Sequence, residues 1–235
     1  MEGPPYPGQD RAMIDTDQLA ARGILRLPAL LSAAECAELA GFWSRPELFR
    51  STVDMARHGF GRGTYRYFTY PLPDRVQALR EALYPPLAAV ANRWAALWDD
   101  SNARPESLQP WLDQCHAAGQ RRPTPLLLRY GPGDYNCLHR DLYGSMVFPL
   151  QLTILLSEPG RDFEGGEFAV VEQRPRRQSR VEVVPLRQGD AVIFAVNERP
   201  ERGARGWSRA TLRHGVSEIR SGERFALGII FHDAA

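Results

Sequence analysis

The fold and the chemistry of this chain are decided by the stretch LLLRYGPGDYNCLHRDLYG, residues 126–144. It opens with a short apolar run, passes through a Gly- and Pro-containing turn, and ends by presenting His139 and Asp141. On a strand, a spacing of two residues points both side chains to the same face. A second stretch, RHGVSEIRSGER, residues 213–224, adds His214 from what must be a different strand. Two imidazoles and one carboxylate on one face of an iron ion leave its opposite face open.

Short β-rich runs recur between turns from Pro125 to the end of the sequence. Such spacing favours a sandwich or barrel over a parallel sheet with crossover helices. We therefore predict an α+β chain whose C-terminal part is a double-stranded β-helix, the cupin-like jelly roll. The runs predicted to be strands are Leu126–Tyr130, Phe148–Leu156, Glu167–Val171, Val181–Pro185, Ala191–Phe194, Ala210–Val216 and Arg224–Phe231.

The residues before Pro125 have a different pattern, which is largely helical. Ser32 with Glu35 three residues later is a capping box, which predicts the start of a helix. A long helix is expected over Asp74–Trp98, disturbed at Pro85-Pro86 because proline removes a backbone hydrogen-bond donor. Three further elements are predicted: a strand just after Gly23, a strand over Arg62–Tyr70 and a helix over Leu108–Ala118.

The helical pattern before Pro125 and the strand pattern after it together predict a single folded domain with a layer of helices at its N-terminal side. Residues 1–12 are rich in Pro and Gly, and we expect a flexible arm there. Residues 13–235 are expected to form the domain. Within it, residues 13–124 are the helical support region and residues 125–235 the jelly-roll core.

The composition excludes several classes of function. All 29 basic residues are arginine, so Schiff-base chemistry on lysine is excluded, as is a lysine anchor for a dicarboxylate. The net charge of +1 gives no global signal for a polyanionic partner. The three cysteines are odd in number and scattered, which indicates a reducing compartment rather than a disulfide framework. Since no apolar run could span a bilayer, we predict a cytoplasmic protein without membrane contact.

The metal interpretation competes with a simpler one, in which a surface His-x-Asp pair is accompanied by an unrelated histidine. A lone His-x-Asp is common, but a distal histidine before glycine and a basic residue ten positions further make the combination specific. Cys137 shares the strand parity of His139 and Asp141 and could face the metal, although we do not count it as a ligand. The histidines without partners at ligand spacing are His58, His116 and His232. His58 lies in the Gly-rich stretch HGFGRG, which could approach the pocket.

Arg224 begins the last long strand, RFALGIIFHD, on the same face as Ala226, Gly228 and Ile230. An inward arginine on an apolar strand is costly unless it is paired. A guanidinium binds a carboxylate through two parallel hydrogen bonds, so the distal carboxylate of a dicarboxylate co-substrate would satisfy it. The alternative is an outward, solvated Arg224, in which case Arg129 and Arg213 are the next candidates for the anchor.

Four motifs carry a resemblance to a known superfamily: RYGPGDYNCLHRD, SEPGRDFEGGEF, LRQGDAVIF and RHGVSEIRSGERFALGIIF. They resemble the Fe(II)/2-oxoglutarate-dependent dioxygenases, in particular their prolyl-hydroxylase-like branch. The whole stretch from Gly61 to His232 is also similar to a bacterial family of such oxygenases. That family has a predicted role in the oxidative demethylation of damaged nucleic-acid bases.

The resemblance implies a dioxygenase that hydroxylates a substrate C–H bond and releases succinate and CO₂. Hydroxylation of an N-methyl group would release formaldehyde. Fe(II) would be held by His139, Asp141 and His214, and O₂ would be the oxidant. 2-Oxoglutarate would be held by Arg224 at its far end, with Tyr130 lining its pocket. The superfamily's assisting tyrosine is Leu155 here, so Gln151 or Thr153 could replace it.

Three substrate hypotheses remain open. Two arginine-rich loops, residues 173–180 and 198–214, could hold phosphates while an aromatic ring stacks a base, or could simply be solvated. Nucleic acid is therefore a possible partner, with Tyr143, Arg205 and Trp207 as candidate substrate contacts. The rival is a hydroxylase of a small molecule, an amino acid or a prolyl peptide. The third class is a non-catalytic cupin-like binding module, which need not keep all four polar residues of the site.

Overall fold

The computed structural model describes residues 14–98, 103–203 and 206–235 of the chain. The predicted arm, residues 1–12, lies outside these ranges. Within them the helices are α1 (Thr16–Arg22), α2 (Ala33–Gly41), α3 (Asp74–Leu97) and α4 (Leu108–Ala117). None of these helices is long and apolar enough to cross a membrane.

The strands of the described residues fall into an N-terminal and a C-terminal group. Before Pro125 they are β1 (Ile24–Leu27), β2 (Phe49–Asp54), β3 (Gly61–Arg62) and β4 (Thr64–Phe68). After it they are β5 (Leu126–Tyr130), β6 (Tyr135–His139), β7 (Leu150–Leu155), β8 (Phe163–Gly165), β9 (Phe168–Gln173), β10 (Arg180–Val184), β11 (Ala191–Ala195), β12 (Glu198–Gly203), β13 (Gly206–Val216), β14 (Ile219–Gly222) and β15 (Arg224–Ile230).

Two antiparallel sheets form the body of the molecule. The larger sheet has the order β1-β11-β7-β15-β5-β4-β2, and the smaller has β10-β9-β13-β6-β3 with β12 paired to β13. A separate two-stranded ribbon joins β14 to β8. Side chains from both sheets line one cavity, among them Gln151 of β7, Arg224 of β15 and His214 of β13. The chain is therefore a double-stranded β-helix with an N-terminal helical layer, as the strand spacing predicted.

The helical layer packs on the outer side of the larger sheet. The Tyr84 ring of α3 contacts Phe148 and Phe231, with ring centroids 5.2 and 6.2 Å away. The Trp94 indole donates a hydrogen bond to Ala20 O of α1, which joins the two helices. Because helices cover one face of the central strands and the cavity lies on the other, β7 and β11 are buried at almost every position.

The predicted long helix is present and continues through Pro85-Pro86. α3 continues from Asp74 to Leu97 through both prolines. Its buried residues lie on both sides of that point, so their packing offsets the lost backbone hydrogen bonds. The capping box at Ser32 and Glu35 is present, with both of its reciprocal hydrogen bonds.

All seven predicted C-terminal strands are present, and the N-terminal part contributes strands as well as helices. β1 pairs with β11, β4 pairs with β5, and β3 pairs with β6. The predicted strand Arg62–Tyr70 corresponds to β4, whereas its partner β2 has no signal in the pattern. Residues before Pro125 thus extend both sheets, and the division into support region and core stays a prediction.

Candidate active site

His139, Asp141 and His214 come together at one end of the cavity. His139 ends β6 and lies directly opposite His214 of β13 in the antiparallel register. Asp141 Oδ1 is 3.6 Å from His139 Nε2, and Asp141 Oδ2 is 3.5 Å from His214 Nε2. One ligand atom from each side chain lies within 4.8 Å of the others. Two nitrogens and one oxygen converging in this way are a donor set that suits Fe(II).

A β-bulge aims His139 into the cavity. Between His214 and Val216 of β13, the pairing with β6 moves from His139 to Asn136, so β6 carries one extra residue. Asn136 and His139 therefore both line the cavity although they are three apart. Cys137 is exposed and is not among the lining residues, so the parity argument that could turn it toward the metal is wrong.

Gly215 makes the bulge possible. A Cβ at this position would lie 2.7 Å from Asn136 O and 3.3 Å from Cys137 O, both of which are backbone atoms. The two backbones approach too closely for any side chain there. The glycine that follows the distal histidine in the sequence thus has a steric role beside the metal centre.

Asp141 lies beyond the end of β6, so the expectation that it shares a strand with His139 is wrong. Its orientation comes from two hydrogen bonds instead. Tyr143 donates its hydroxyl to Oδ1 at 2.7 Å, and Gln151 Nε2 donates to Oδ2 at 2.7 Å. Burial alone would raise the pKa of Asp141, but the hydrogen bond with His214, both histidine charges and the Tyr143 hydroxyl hold it below its usual range. The carboxylate is ionised, as a metal ligand must be.

Each histidine presents Nε2 to the centre. His139 Nδ1 is 2.8 Å from Cys137 O, and assigning the proton to Nδ1 leaves the Nε2 lone pair free. Burial lowers the pKa of His214, although the hydrogen bond with Asp141 opposes the shift. A neutral imidazole is the form that binds metal. The three side chains therefore fit an Fe(II) ion in geometry, and Asp141 and His214 also fit it in protonation.

Arg224 lies in the wall of the same cavity and is 2% exposed. Within residues 14–98, 103–203 and 206–235, no carboxylate lies within ion-pair distance of it, and its Nε has no hydrogen-bond partner. Its nearest aromatic neighbours are Tyr130 and Phe163, at 5.6 and 5.8 Å from the guanidinium carbon. Burial lowers the pKa of Arg224, yet an arginine stays charged. A buried unpaired cation fits a ligand that brings a carboxylate.

Every second residue of β15 faces the cavity, as expected. The residues that line it are Arg224, Ala226, Gly228 and Ile230. The outward alternative for Arg224 is therefore wrong. The two reserve candidates for the anchor lie elsewhere. Arg129 pairs with Glu223 at the surface, and Arg213 is exposed on the strand face opposite to His214.

The three residues predicted to contact the co-substrate all line the cavity, but they differ in the hydrogen bonds they already make. Burial raises the pKa of Tyr130 to about 12, so its hydroxyl stays protonated, and it accepts a hydrogen bond from Asn136 at 3.3 Å. Gln151 is occupied with Asp141, so it orients a metal ligand. Thr153 makes one long hydrogen bond, 3.5 Å to Leu227 O. Tyr130 is the one of these three that contacts Arg224.

The three residues predicted to contact the substrate do not lie together at the cavity. Tyr143 lines the cavity, but its hydroxyl is bound to Asp141 and also accepts from Tyr67 at 3.0 Å. Trp207 does not line the cavity. It lies on β13 seven residues before His214, roughly 20 Å along an extended strand. Arg205 lies outside the described residues.

The arginine-rich stretch 198–214 is not a polar loop, because β12 and β13 form a hairpin there. Arg209 pairs with Glu198 at 2.6 Å. In the other basic loop, Arg174 lies 2.7 Å from Glu172 and 2.6 Å from Glu201. These cations are already neutralised by local acids, which weakens the argument that the two stretches form a phosphate-binding surface.

The cavity has a volume of about 200 Å³. Sequence reasoning missed several residues that line it, namely Met55, Phe60, Tyr65, Leu128, Asn136 and Arg140. The Gly-rich HGFGRG around His58 was the available signal, because glycines permit the close approach of this segment to β6. Gly61 shows this directly, since a Cβ there would lie 2.4 Å from Tyr135 O.

The fold and the four polar side chains define a non-haem Fe(II)- and 2-oxoglutarate-dependent oxygenase, an oxidoreductase that uses O₂. The model of the Oxygenase-NA family matches residues 63–234, and that family is described as "Oxygenase, catalysing oxidative methylation of damaged DNA". The chain belongs to the Oxygenase-NA family. The uncharacterized protein Rv2227 of Mycobacterium tuberculosis is 53% identical over 168 residues, which cover 72% of each chain.

Solved structures share the fold at low sequence identity. An oxidoreductase of the 2OG-Fe(II) oxygenase family from Burkholderia pseudomallei has a TM-score of 0.53 at 21% identity, over 94% of this chain and 91% of its own. A prolyl hydroxylase from Trichoplax adhaerens, in complex with a hypoxia inducible factor peptide, has a TM-score of 0.55 at 14% identity. That alignment covers 91% of this chain and 84% of the other.

Proposed function

We propose that this oxygenase removes methyl groups from the nitrogen atoms of damaged nucleobases. The observation that carries the proposal is the match of residues 63–234 to a family described as acting on damaged DNA. The cavity is consistent with it, because Phe60 and Arg140 are among its lining residues. An aromatic ring and an arginine are the groups that bind an unpaired nucleotide.

Fe(II), 2-oxoglutarate and O₂ together supply an oxidant that inserts oxygen into a substrate C–H bond, while 2-oxoglutarate is converted to succinate and CO₂. His139, Asp141 and His214 would hold the iron on one face. Tyr143 and Gln151 keep the two carboxylate oxygens of Asp141 in place by donating to them. Such supporting hydrogen bonds orient metal ligands and maintain their basicity.

Arg224 would hold the distal carboxylate of 2-oxoglutarate, because its guanidinium is buried in the cavity wall. Beyond Arg224 the same strand offers Ala226, Gly228 and Ile230, which are small or apolar side chains. They leave room for the aliphatic part of the co-substrate and exclude water from it. The protonated Tyr130 hydroxyl beside Arg224 is available as a further hydrogen-bond donor.

The product follows from the chemistry of the substrate carbon. Hydroxylation of an N-methyl group gives an N-hydroxymethyl group, whose C–N bond breaks to release formaldehyde and the free amine. The target base has to be unpaired or flipped out of a duplex to reach the cavity. Single-stranded substrates avoid that free-energy cost and are expected to react fastest.

The test compares candidate substrates with iron-loaded protein and measures succinate and formaldehyde in parallel. Single-stranded oligonucleotides with N-methylated bases should raise both products in equal amounts. The unmethylated oligonucleotides, a proline-containing peptide and free amino acids should raise neither, and His139→Ala should be inactive with all of them. Succinate formation stimulated by the peptide or an amino acid, without formaldehyde from any oligonucleotide, would contradict the proposal.

A further inference from the structure

Phe60 is the aromatic residue in the cavity wall through which the proposed function can be made specific. It lines the cavity together with His139 and Arg140, yet 47% of its surface is exposed. Ligand-binding cavities are lined predominantly by apolar and aromatic side chains, and Phe60 is such a residue with part of its ring still accessible. Phe60 is therefore placed to meet a substrate that approaches the metal.

The backbone at Phe60 is fastened to the strand that carries a metal ligand. Cys137 N donates to Phe60 O at 2.9 Å, and Phe60 N donates to Met55 O at 3.2 Å. The next two residues form β3, whose Gly61 pairs with Asn136 of β6. The position of Phe60 relative to His139 at the end of β6 is therefore set by hydrogen bonds.

The Phe60 side chain is supported by a second ring. His58 stacks against it, with ring centroids 5.3 Å apart and an angle of 21° between the planes. This contact restricts the rotamers of Phe60 before a substrate arrives. A preorganised ring binds a planar partner with less loss of side-chain entropy than a free one.

Arg140 adds a charge to the same wall. Its hydrogen-bond partner is the neutral amide oxygen of Asn197, at 2.8 Å. Within the described residues no carboxylate lies within ion-pair distance of Arg140, in contrast to Arg174 and Arg209 of the basic stretches. An arginine without a counter-charge is suited to a phosphate group.

We propose that Phe60 is the platform on which the substrate base stacks, and that Arg140 contacts the adjoining phosphate. Phe60 is thus a specificity-determining residue that selects a planar heterocycle on a sugar-phosphate chain. The inference rests on the proposed function. The aromatic and arginine pair that we expect to bind the nucleotide is therefore Phe60 and Arg140, and not Trp207 and the arginines near it.

The test uses a single-stranded oligonucleotide with one 2-aminopurine, a purine whose fluorescence is quenched by stacking. It is titrated anaerobically into protein loaded with Fe(II) and 2-oxoglutarate. Wild type should quench the probe, and Phe60→Trp should retain the effect. Phe60→Leu should bind about 5- to 150-fold more weakly, as expected for the loss of one base–aromatic stack. Trp207→Leu is the matched control, an equally exposed aromatic outside the cavity, and should bind like wild type.

The outcomes separate this inference from the proposed function. The platform would be overturned if wild type did not quench the probe, or if Phe60→Leu quenched and bound it as wild type does. Either result would count even if the methylated oligonucleotide still yielded formaldehyde. Quenching that depends on Phe60 without any formaldehyde would support the platform and overturn demethylation.

The absorption band of the anaerobic Fe(II)–2-oxoglutarate complex should be the same in Phe60→Leu and wild type, which shows that the variant is folded. Arg140→Gln should flatten the salt dependence of binding by about one counterion.

Discussion

Arg224 shows how the surroundings of a single residue support the assignment of a co-substrate site. Its guanidinium is buried beside the rings of Tyr130 and Phe163, and within the described part of the chain no carboxylate lies within ion-pair distance of it. Burying a charge without a partner is unfavourable, so the free energy of this arrangement is recovered when a carboxylate binds. As the proposed anchor, Arg224 would lower stability in the absence of 2-oxoglutarate and contribute affinity in its presence.

Arg224→Ala is expected to raise the 2-oxoglutarate concentration needed for half-saturation by about two to four decades. This follows from roughly 3–5 kcal/mol for removing one partner of a buried ion pair. Arg224→Lys should recover part of the loss, because the charge remains but the two-pronged geometry does not. The measurement is an anaerobic titration of 2-oxoglutarate against the absorption band of its Fe(II) complex. An unchanged midpoint in Arg224→Ala would show that the arginine is not the anchor.

His232 is a second buried residue whose protonation state matters, in this case for stability. Burial, assisted by the charge of Arg80, lowers its pKa to about 4. Its Nδ1 accepts a hydrogen bond from Phe148 N at 3.2 Å, which requires the neutral ring. The unfolded chain takes up a proton here below about pH 6.5, whereas the folded protein does so only near pH 4.

Acidification from pH 6.5 to pH 4 should therefore lower the free energy of unfolding through His232, by up to about 3 kcal/mol. His232→Asn keeps an acceptor for Phe148 N but does not titrate, so its stability should fall less steeply over this range. Urea denaturation at several pH values measures both proteins. Parallel curves for wild type and His232→Asn would show that this histidine does not contribute to the slope.

At the scale of elements, the pairing of β6 with β13 builds the metal centre. Two ligands, His139 and His214, face each other across this pair, and the bulge in β6 aims the first of them inward. The close approach of the two backbones depends on Gly215. The third ligand, Asp141, is positioned by Gln151 of β7, so the site joins the two sheets.

Gly215→Ala should push β6 away from β13 and weaken Fe(II) binding, roughly ten- to a hundredfold, as for other changes that disturb ligand orientation. The reason is steric, since the new Cβ would lie 2.7 Å from Asn136 O. Gly41→Ala is the matched control, because nothing lies within 4 Å of a Cβ there. Fe(II) titration monitored by the absorption band of the 2-oxoglutarate complex distinguishes them. Equal iron affinity in both variants would argue against the steric role of Gly215.

At the scale of the whole molecule, a buried ion pair ties the helical layer to the end of the chain. Arg80 of α3 pairs with Asp233 at 2.9 Å, and both side chains are fully buried. Asp233 also accepts from Tyr70 and is bonded to His116. Burial would raise the pKa of Asp233, but Arg80 and these hydrogen bonds hold it below its usual value. The network joins α3, α4 and the residues after β15.

Asp233→Asn should destabilise the protein by about 3 kcal/mol, because it leaves the Arg80 charge buried without a counter-charge. Asp17→Asn is the matched control. It removes the same charge from an exposed pair with Arg93, and such pairs contribute about 0–1 kcal/mol. Urea denaturation at pH 7 compares the two variants. If both lose the same small amount, the buried pair does not hold the layers together.

The pattern of residues along the chain was sufficient for the fold class and for the choice of candidate site residues. Strand alternation and turn residues are local features, so the seven C-terminal strands could be predicted from them, whereas the inward face of Arg224 stayed one of two alternatives. The three candidate metal ligands were recognisable because His-x-Asp, a distal His-Gly and a trailing arginine form a specific combination.

Tertiary structure alone decided how these residues are arranged, because pairing between distant strands overrides local parity. The bulge turned Cys137 outward, and the end of β6 left Asp141 to be oriented by Tyr143 and Gln151. Hairpin pairing carried Trp207 away from the cavity, and β3–β6 pairing brought Phe60 into it. Residue type is a local property, so the sequence determined which groups are available for the chemistry. Pairing between distant strands determined which of these groups line the cavity.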